Sequence, residues 1–424
     1  MRTSRYTRFV PALLLALTLV AAACSNDPET ESQPAPNLGD DPFADLERVE
    51  APSPCTNDPG VSDDTITVGA IMAKSGAAAQ SFSRAEDGMR ARFELANTTG
   101  ELGDRTLELV VADDAGDAAR NVTAARELVE RSDVFGVMEI STAADASGQY
   151  FFDNDVPVTG WHLAQPAYGM FPNFFSFNGV NPDPDKQKTT RNAEVLKMLG
   201  ATKIAIVGGG PPVATAFARQ IAETVDADPD LDVVYETFDV PIGQTEFTGE
   251  VEDIKQSGAD GLYTGMDFLQ NAALNEQLKQ ADADVPIVVF PGGYDPLALD
   301  VTGLDGAYFG VEFKPFELEA AGFQDFQEAM ADRPIGQVPF VGWLSADIFI
   351  EGLKAAGIEC PTREGFINNL RLVDDYTAND ALLPIDFSEQ FGRHFLCSFY
   401  VHVEDGAFVP QFDGEPVCGE PFEG

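Results

Sequence analysis

Short apolar runs alternate with stretches of helical spacing from Thr65 onward. In the helical stretches apolar residues recur every three or four positions, as Met89, Phe93 and Ala96 do. The predicted order is strand Thr65–Met72, helix Ser83–Asn97, strand Thr106–Val111, helix Ala118–Arg131, and strands Val134–Met138 and Pro157–Trp161. Strands that alternate with helices predict a parallel sheet covered by helices on both faces.

A second series of similar size begins after Asn181. It contains helix Pro184–Leu199, strand Lys203–Val207, helix Ala214–Val225, strand Leu231–Phe238, helix Gly249–Ser257, strand Gly261–Thr264, helix Phe268–Gln280 and strand Val285–Phe290. Helices Pro339–Ala356 and Arg363–Leu370 and strands Phe395–Val403 and Phe408–Gln411 follow. The 424 residues suffice for two α/β lobes. Ligands of such folds bind beyond the carboxyl ends of the strands, so a cleft between the lobes is the expected site.

The first 23 residues have the three parts of an export signal. Arg2, Arg5 and Arg8 form a positive start, Phe9–Val20 is almost entirely apolar, and three alanines follow. The apolar run is too short to cross a bilayer comfortably. We therefore predict a signal peptide over residues 1–23.

Cys24 stands directly after those alanines, and the segment Val20-Ala21-Ala22-Ala23-Cys24 resembles the lipobox of bacterial lipoproteins. The resemblance implies that the Cys24 thiol carries a lipid that holds the protein at a membrane surface. A plain secretory signal followed by an unrelated cysteine is the alternative. Residues 24–60 are rich in proline and acidic side chains with little apolar periodicity, which predicts a flexible tether.

The charge is strongly acidic, with 70 Asp and Glu against 26 Lys and Arg and a formal net charge of −44. Such a surface repels phosphate backbones, which argues against a nucleic-acid partner. It favours solubility, in a saline habitat or elsewhere, over a dedicated acidic binding surface.

Four further cysteines, an even number in an exported chain, favour disulfides over metal or thiol chemistry. Three pairings are open, and we favour Cys360–Cys397 with Cys55–Cys418. No CxxC spacing occurs, and His162, His394 and His402 are not spaced to complete a zinc site, so neither a metal nor a cofactor is predicted.

The order of segments carries a family resemblance. The first unit contains Thr65-Ile-Thr-Val-Gly69, Leu107–Asp114 with its paired aspartates, Val134–Met138 followed by Ser141-Thr142, and Val156-Pro-Val-Thr-Gly160, and the second contains Lys203-Ile-Ala-Ile-Val207 and Gly258-Ala-Asp-Gly261. This series resembles the type I periplasmic binding proteins, and more narrowly their leucine/branched-chain amino-acid-binding branch, over roughly Thr65 to Pro410.

The resemblance implies an α/β fold of two Rossmann-like, doubly wound lobes joined by a three-crossover hinge. The crossovers are expected near Phe174–Val180, Tyr308–Pro315 and Leu372–Leu383. Lobe 1 would comprise residues 61–177 and 316–372, and lobe 2 residues 178–308 and 384–424. It also implies a monomer that closes around a small solute and then engages the transmembrane subunits of an ABC permease.

The resemblance also suggests site residues. Ser141 and Thr142 would bind the solute, although both also suit helix N-caps. Ala164 stands where the family's loop offers a threonine for the amino-acid head group, so we expect Trp161 and His162 to stack on or hydrogen-bond a solute other than simple leucine.

Further candidates come from other loops. Asp267 would pair with a solute ammonium under Tyr294. The cleft would be completed by Ser75, Gln80 and Ser81 from the first loop and by Phe340 and Trp343 near a late helix. For Phe340 and Trp343 the alternative is packing in the core.

Catalytic motifs are absent from the sequence. Gly208-Gly209-Gly210 lacks the Gly-Lys-Ser/Thr of a phosphate loop, and no Gly-x-Ser-x-Gly occurs. We therefore predict a transport protein rather than an enzyme, with a ligand-sensing module that feeds a receptor as the alternative.

Overall fold

The computed structural model describes residues 42–76, 78–183, 186, 188–210 and 212–422. The predicted signal peptide, Cys24 and the first part of the tether lie outside the described residues. No helix among the described residues has the length and apolar character needed to cross a membrane.

Lobe 1 is built on a five-stranded parallel sheet in the order β2-β1-β3-β4-β5. Its strands are β1 (Thr65–Met72), β2 (Thr106–Asp113), β3 (Val137–Ile140), β4 (Val158–Gly160) and β5 (Phe174–Ser176). The intervening helices are α1 (Ala79–Phe82), α2 (Ala85–Thr99), α3 (Ala118–Glu130), α4 (Asp145–Asp153) and α5 (Ala167–Met170). The polypeptide then enters lobe 2.

Lobe 2 carries the larger sheet, in the order β12-β11-β10-β9-β8-β6-β7, with β13 paired to β11. Strands β6 to β10 are parallel, and β11 and β12 extend the sheet in antiparallel fashion. The elements are α6 (Arg191–Leu199), β6 (Lys203–Gly209), α7 (Pro212–Asp226), β7 (Asp232–Val240), α8 (Thr248–Ser257), β8 (Gly261–Gly265), α9 (Phe268–Gln280), β9 (Ile287–Phe290), β10 (Tyr308–Val311), β11 (Cys397–Glu404), β12 (Ala407–Pro410) and β13 (Val417–Cys418).

Between β10 and β11 the chain returns to lobe 1 as α10 (Ala321–Met330), α11 (Gln337–Ala356) and α12 (Arg363–Arg371), followed by α13 (Phe387–Gln390). Helix α11 is buried along most of its length and packs against α2, β3 and β4. Two glycines permit this approach, because a Cβ at Gly88 would lie 1.7 Å from the Pro339 carbonyl oxygen and one at Gly342 would lie 2.0 Å from that of Ala85.

The two-lobed α/β architecture confirms the predicted fold class. The bounds of β1 agree with the prediction, whereas the helix predicted over Pro184–Leu199 begins at Arg191. Thr189 instead forms an antiparallel bridge with Pro421, so this backbone pairs with the C-terminal segment and not within a helix. Phe174–Ser176 and Tyr308–Val311 are the strands β5 and β10, so the first two crossings begin later than predicted. The residue bounds of the lobes remain a prediction.

The disulfide prediction was wrong. The structure joins Cys55 to Cys360 and Cys397 to Cys418. Cys397 and Cys418 stand directly opposite each other on β11 and β13, with Cα atoms 4.0 Å apart. Cys360 follows α11 in lobe 1, beside the segment that contains Cys55.

Part of the predicted tether is docked rather than free. The Val49 amide N–H donates to Asn369 Oδ1 at 2.7 Å, and Asn369 Nδ2 donates to the Val49 carbonyl at 2.9 Å. The Phe43 ring meets Phe391 edge to face at 5.2 Å and lies over the Arg371 guanidinium. Residues 42–60 therefore run along lobe 1, and any flexible leash ends before them.

Candidate functional site

A hydrogen bond joins the loops at the carboxyl ends of the two sheets. Trp161 follows β4 of lobe 1, and Glu312 follows β10 of lobe 2. The indole Nε1 of Trp161 donates to Glu312 Oε2 at 2.8 Å. This contact marks the junction where ligands of open α/β sheets bind.

Five side chains around that bond form what we term the hinge cluster: Trp161, Asn178, Arg191, Glu312 and His394. Asn178 follows β5, Arg191 begins α6, and His394 precedes β11, so each crossing between the lobes contributes a polar group. The Asn178 Nδ2, Arg191 Nε and His394 Nδ1 atoms are buried without a hydrogen-bond partner among the described residues. Unpartnered buried polar atoms are uncommon in native proteins and mark this junction as a place where another molecule is expected.

Burial raises the pKa of the Glu312 carboxyl, against the opposing effects of the Trp161 hydrogen bond, the Arg191 charge and the nearby Asn178 amide. Burial also lowers the pKa of both His162 and His394 to about 3, so both rings are neutral at pH 7.

The sequence predicted Trp161 at this site and missed Asn178, Arg191, Glu312 and His394. These four residues come from the crossing segments and a helix start, where no periodic pattern points to a shared position. His394 entered the sequence analysis only as one of three histidines that are not spaced for a zinc site. Among the described residues, no group of three His, Cys, Asp or Glu side chains is arranged to hold a metal ion.

Trp161 and His162 lie together on the loop after β4. The Trp161 ring meets Phe82 edge to face at 6.4 Å. His162 is buried, and its Nδ1 accepts a hydrogen bond from the Ala164 amide at 2.7 Å. Leu163 and Ala164 have left-handed backbone, with φ of 45° and 60°. His162 therefore stabilises a strained turn, and its other ring nitrogen carries the proton.

Ser141 is buried behind the lobe 1 edge. Its hydroxyl donates to the Asp114 carboxylate, and its oxygen accepts from the Ala143 amide at 3.0 Å. The Asn121 amide donates to Asp114 at 3.0 Å and to Glu139 at 2.6 Å. Burial, with the Asp114 charge as a further cause, raises the pKa of Glu139 to about 8. Ser141 thus orients its loop through this network.

The other predicted lobe 1 residues lie nearer the surface. Thr142 is half-buried beside Gly116, where a Cβ would lie 3.4 Å from the Thr142 hydroxyl oxygen. Ser75 is exposed and donates its hydroxyl to Asp113 at 2.6 Å. The backbone of Gln80 lies in α1, and its side chain is outside the described part of the structure.

In lobe 2 the structure departs from the prediction at Tyr294. This residue is 1% exposed, its hydroxyl donates to Glu317 Oε2 at 2.6 Å, and its ring stacks on Phe316 at 5.2 Å. Phe340 is fully buried and packs edge to face against Phe313 at 4.8 Å. Both belong to an aromatic core, because rings near strand ends are as easily buried by packing as turned toward a ligand.

Asp267 is exposed and caps α9, accepting the amide N–H groups of Leu269 at 3.0 Å and Gln270 at 3.1 Å. Beside it the lobe 2 edge presents two large apolar side chains that the sequence did not single out. Ile242, after β7, is 71% exposed, and Leu269, in the first turn of α9, is 53% exposed.

Two surface cavities of about 560 and 430 Å³ open on lobe 1, away from the junction. Arg363 and Arg371 line the first, and Arg92 and Asp347 the second. Arg363 and Arg371 donate to backbone carbonyl groups, and Arg92 pairs with Glu101 and Asp347. These side chains serve the packing of lobe 1.

A family model described as periplasmic binding protein matches residues 65–407. Among solved structures, a substrate-binding periplasmic protein from Ralstonia solanacearum has a TM-score of 0.69 at 17% identity, covering 82% of this chain and 100% of that chain. A fatty acid ABC transporter substrate-binding protein from Thermomonospora curvata has a TM-score of 0.68 at 18% identity, covering 88% and 97%.

The branched-chain amino acid transporter substrate-binding protein LivJ from Streptococcus pneumoniae, in complex with isoleucine, has a TM-score of 0.66 at 17% identity, covering 82% of this chain and 100% of that chain. No curated protein matches the chain. At these identities the structural likenesses establish the fold.

Proposed function

Because the chain belongs to the periplasmic binding protein family, we propose that it captures a small solute between its two lobes outside the cytoplasm and delivers it to the permease of an ABC importer. Proteins of this family bind solutes and are not enzymes, in agreement with the sequence prediction. We further propose that Cys24 carries a lipid anchor and that the protein acts as a monomer.

The observation that carries this proposal is the bond from Trp161 to Glu312, because it joins the carboxyl ends of the two sheets at the expected ligand position. The unpartnered atoms of Asn178, Arg191 and His394 surround it. A solute that enters there would meet polar groups fixed by all three crossings. Rotation of the lobes about those crossings would then remove the solute from water, which strengthens each polar contact.

We propose that the solute is an amino acid or a similar small molecule with a polar head and an apolar or aromatic body. The exposed Ile242 and Leu269 support the apolar part. Neither Ser141, whose hydroxyl is bound to Asp114, nor Ala164 offers the hydroxyl donor of a standard leucine site. The structural neighbours that carry a fatty acid or isoleucine in their descriptions are consistent with an amphipathic solute.

Thermal unfolding of the purified protein in the presence of single solutes tests the proposal. The panel contains leucine, isoleucine, phenylalanine, benzoate, octanoate and putrescine. A solute at one hundred times its Kd stabilises the folded state by about 2.7 kcal/mol, which raises Tm by several degrees. If the folded protein is stabilised by none of these solutes, nor by a wider set of small metabolites, the proposed function is wrong.

A further inference from the structure

The larger surface cavity lies at the end of lobe 1 opposite the solute junction. Its volume is about 560 Å³, and its lining includes Asn154 and Asp155 before β4 and Pro172 and Asn173 before β5, so it lies at the amino ends of these strands. Residues of α12 also line it, and we call it the α12 cavity. Small-molecule sites typically measure about 300–1,000 Å³. The α12 cavity is therefore large enough for a ligand of its own, separate from the junction.

One end of the α12 cavity carries a buried positive charge. Arg371, in the last turn of α12, lines the cavity and is 3% exposed, and no carboxylate among the described residues pairs with its guanidinium. Its Nε, Nη1 and Nη2 atoms donate to the carbonyl groups of Pro172, Phe387 and Phe174, which occupies three of its five N–H groups. Burial lowers its pKa to about 9, so the side chain remains a cation at pH 7. A buried cation without an anion is costly, and an anionic ligand group would offset that cost.

The other end of the α12 cavity carries excess negative charge. Asp58, Asp155 and Glu364 line this end, where Arg363 is the one cation in the lining. Asp58 accepts the backbone N–H of Arg363 at 2.7 Å, and the charges of Asp58 and Asp155 both act on the Arg363 guanidinium. Glu364 is exposed and forms no ion pair with another described residue. This end therefore offers a carboxylate to a cationic ligand group.

Helix geometry sets the distance between the two ends. Glu364 and Arg371 are seven positions apart, about two turns of α12, so they lie on the same face of the helix. At a rise of about 1.5 Å per residue they are separated by about 10 Å along the axis. Ile367 and Asn368 lie between them in the cavity lining. A ligand that meets both charges must be a zwitterion about 10 Å long, which is the span of about three residues of extended peptide.

The lining between the ends suits a peptide backbone. Asn173 is 2% exposed, and its Nδ2 donates to the Val156 carbonyl oxygen at 2.7 Å. Its Oδ1 is buried and has no hydrogen-bond partner among the described residues. Such an acceptor calls for a donor, and a peptide N–H is one. Phe152 and Ile367, both half-buried, add apolar surface on which peptide side chains can pack.

We propose that the α12 cavity binds short zwitterionic peptides of about three residues. The terminal carboxylate accepts hydrogen bonds from the remaining N–H groups of Arg371, and the terminal ammonium group donates to Glu364. Asn173 accepts a backbone N–H between the two ends. This site is separate from solute capture at the junction and does not depend on it.

Calorimetry tests the site with trialanine and its two blocked forms, N-acetyl-trialanine and trialanine amide. We expect trialanine to bind with a Kd below about 1 mM. Each blocked form should bind at least about tenfold more weakly, because each lacks the charge that one end of the cavity recognises.

Glu364→Gln locates the binding. It should weaken the binding of trialanine by about fivefold or more and leave the binding of N-acetyl-trialanine unchanged, because the acetylated peptide has no ammonium group. Asn173→Ala should weaken the binding of all three peptides. Glu328→Gln, the same change at an exposed residue of α10, should bind as the unaltered protein does. Melting of each variant without peptide verifies folding, and Glu364→Gln decides the test if Asn173→Ala does not fold.

The peptide proposal is overturned if trialanine does not bind or if the blocked forms bind as tightly as trialanine. It is also overturned if the affinity of Glu364→Gln for trialanine lies within about twofold of that of the unaltered protein, because the peptide then occupies another position, such as the junction. The solute panel tests the junction separately, so failure of the peptide site leaves the proposed function intact.

Discussion

The edges that the two lobes turn toward each other differ in chemical character. Behind the lobe 1 loops lies a set of buried carboxyl and amide groups, Asp114, Asn121 and Glu139, that hold Ser141 in place. The lobe 2 edge has the exposed apolar side chains Ile242 and Leu269. Behind it lie the uncharged Thr264, Gln270 and Asn271, each with one buried oxygen that lacks a partner among the described residues.

This difference indicates a division of labour during solute binding. Hydrogen bonds to an ionised group are stronger than neutral ones and fix geometry more firmly, so the lobe 1 loops should keep their positions whether or not a solute is present. Apolar contacts lack directionality and adapt to the shape of what they cover. Lobe 1 would therefore orient the solute, and lobe 2 would accommodate its body.

Replacement of Asp114 should disturb lobe 1 far more than a matched replacement disturbs lobe 2. Asp114→Ala leaves the Ser141 hydroxyl and one of the two Asn121 amide hydrogens buried without an acceptor, at a cost of about 2–4 kcal/mol in the free energy of unfolding. Asp267→Ala removes an exposed helix cap, at a cost of about 1 kcal/mol. Guanidinium unfolding measures both. Equal losses would show that the lobe 1 network is no more stabilising than a surface cap.

The lobe 1 network also predicts a pH dependence of stability. The pKa of Glu139 is raised from 4.5 to about 8, so the folded protein retains a proton that the unfolded chain releases. Stability due to this group is therefore lost as pH rises from about 4.5 to 8. Glu139→Gln cannot lose a proton, so its stability relative to the unaltered protein should increase over that window, by at most about 1.4 kcal/mol per pH unit.

Asp145 provides the matched control for that measurement. Burial raises its pKa from 3.8 to about 6, the same direction over a narrower window. The advantage of Asp145→Asn should therefore grow mainly up to about pH 6, with a smaller rise above it because the Asp145 charge also helps to raise the pKa of Glu139. The advantage of Glu139→Gln continues to about pH 8. Urea unfolding at half-unit intervals of pH separates the two profiles. If the Glu139→Gln difference does not vary with pH, Glu139 has an ordinary pKa in the folded protein.

The sequence predicted the elements of this comparison better than their chemistry. Strand β1 was predicted with its observed bounds because its apolar run and the flanking polar residues are local signals. Ser141 was placed at the lobe 1 edge for the same reason. Its partner Asp114 was visible only as one of two aspartates after a strand, and the pattern could not show that it turns inward.

Long-range proximity accounts for most of what the sequence missed. Glu312, Arg191 and His394 are far apart in the chain and meet only because the crossings converge. The cysteine pairs failed for the same reason, because spacing does not encode that β13 lies beside β11. Tyr294 shows a further limit: an aromatic residue after a strand suits a ligand contact and a core equally, and here the Glu317 carboxylate and Phe316 ring bind it within the core.

The smallest expected effects concern the exposed apolar side chains at the edge of lobe 2. Ile242→Ser and Leu269→Ser should change the free energy of unfolding by less than about 0.5 kcal/mol, because both side chains are exposed. Each should weaken the binding of an apolar-bodied solute by about 1 kcal/mol, roughly fivefold, if closure of the lobes covers them.

Met198→Ser, an equally drastic change at a residue 55% exposed on α6, should leave Kd unchanged. Calorimetry with whichever solute stabilises the protein measures the difference. If all three variants bind alike, lobe 2 does not use these side chains to cover the solute, and the apolar edge has no part in the division of labour.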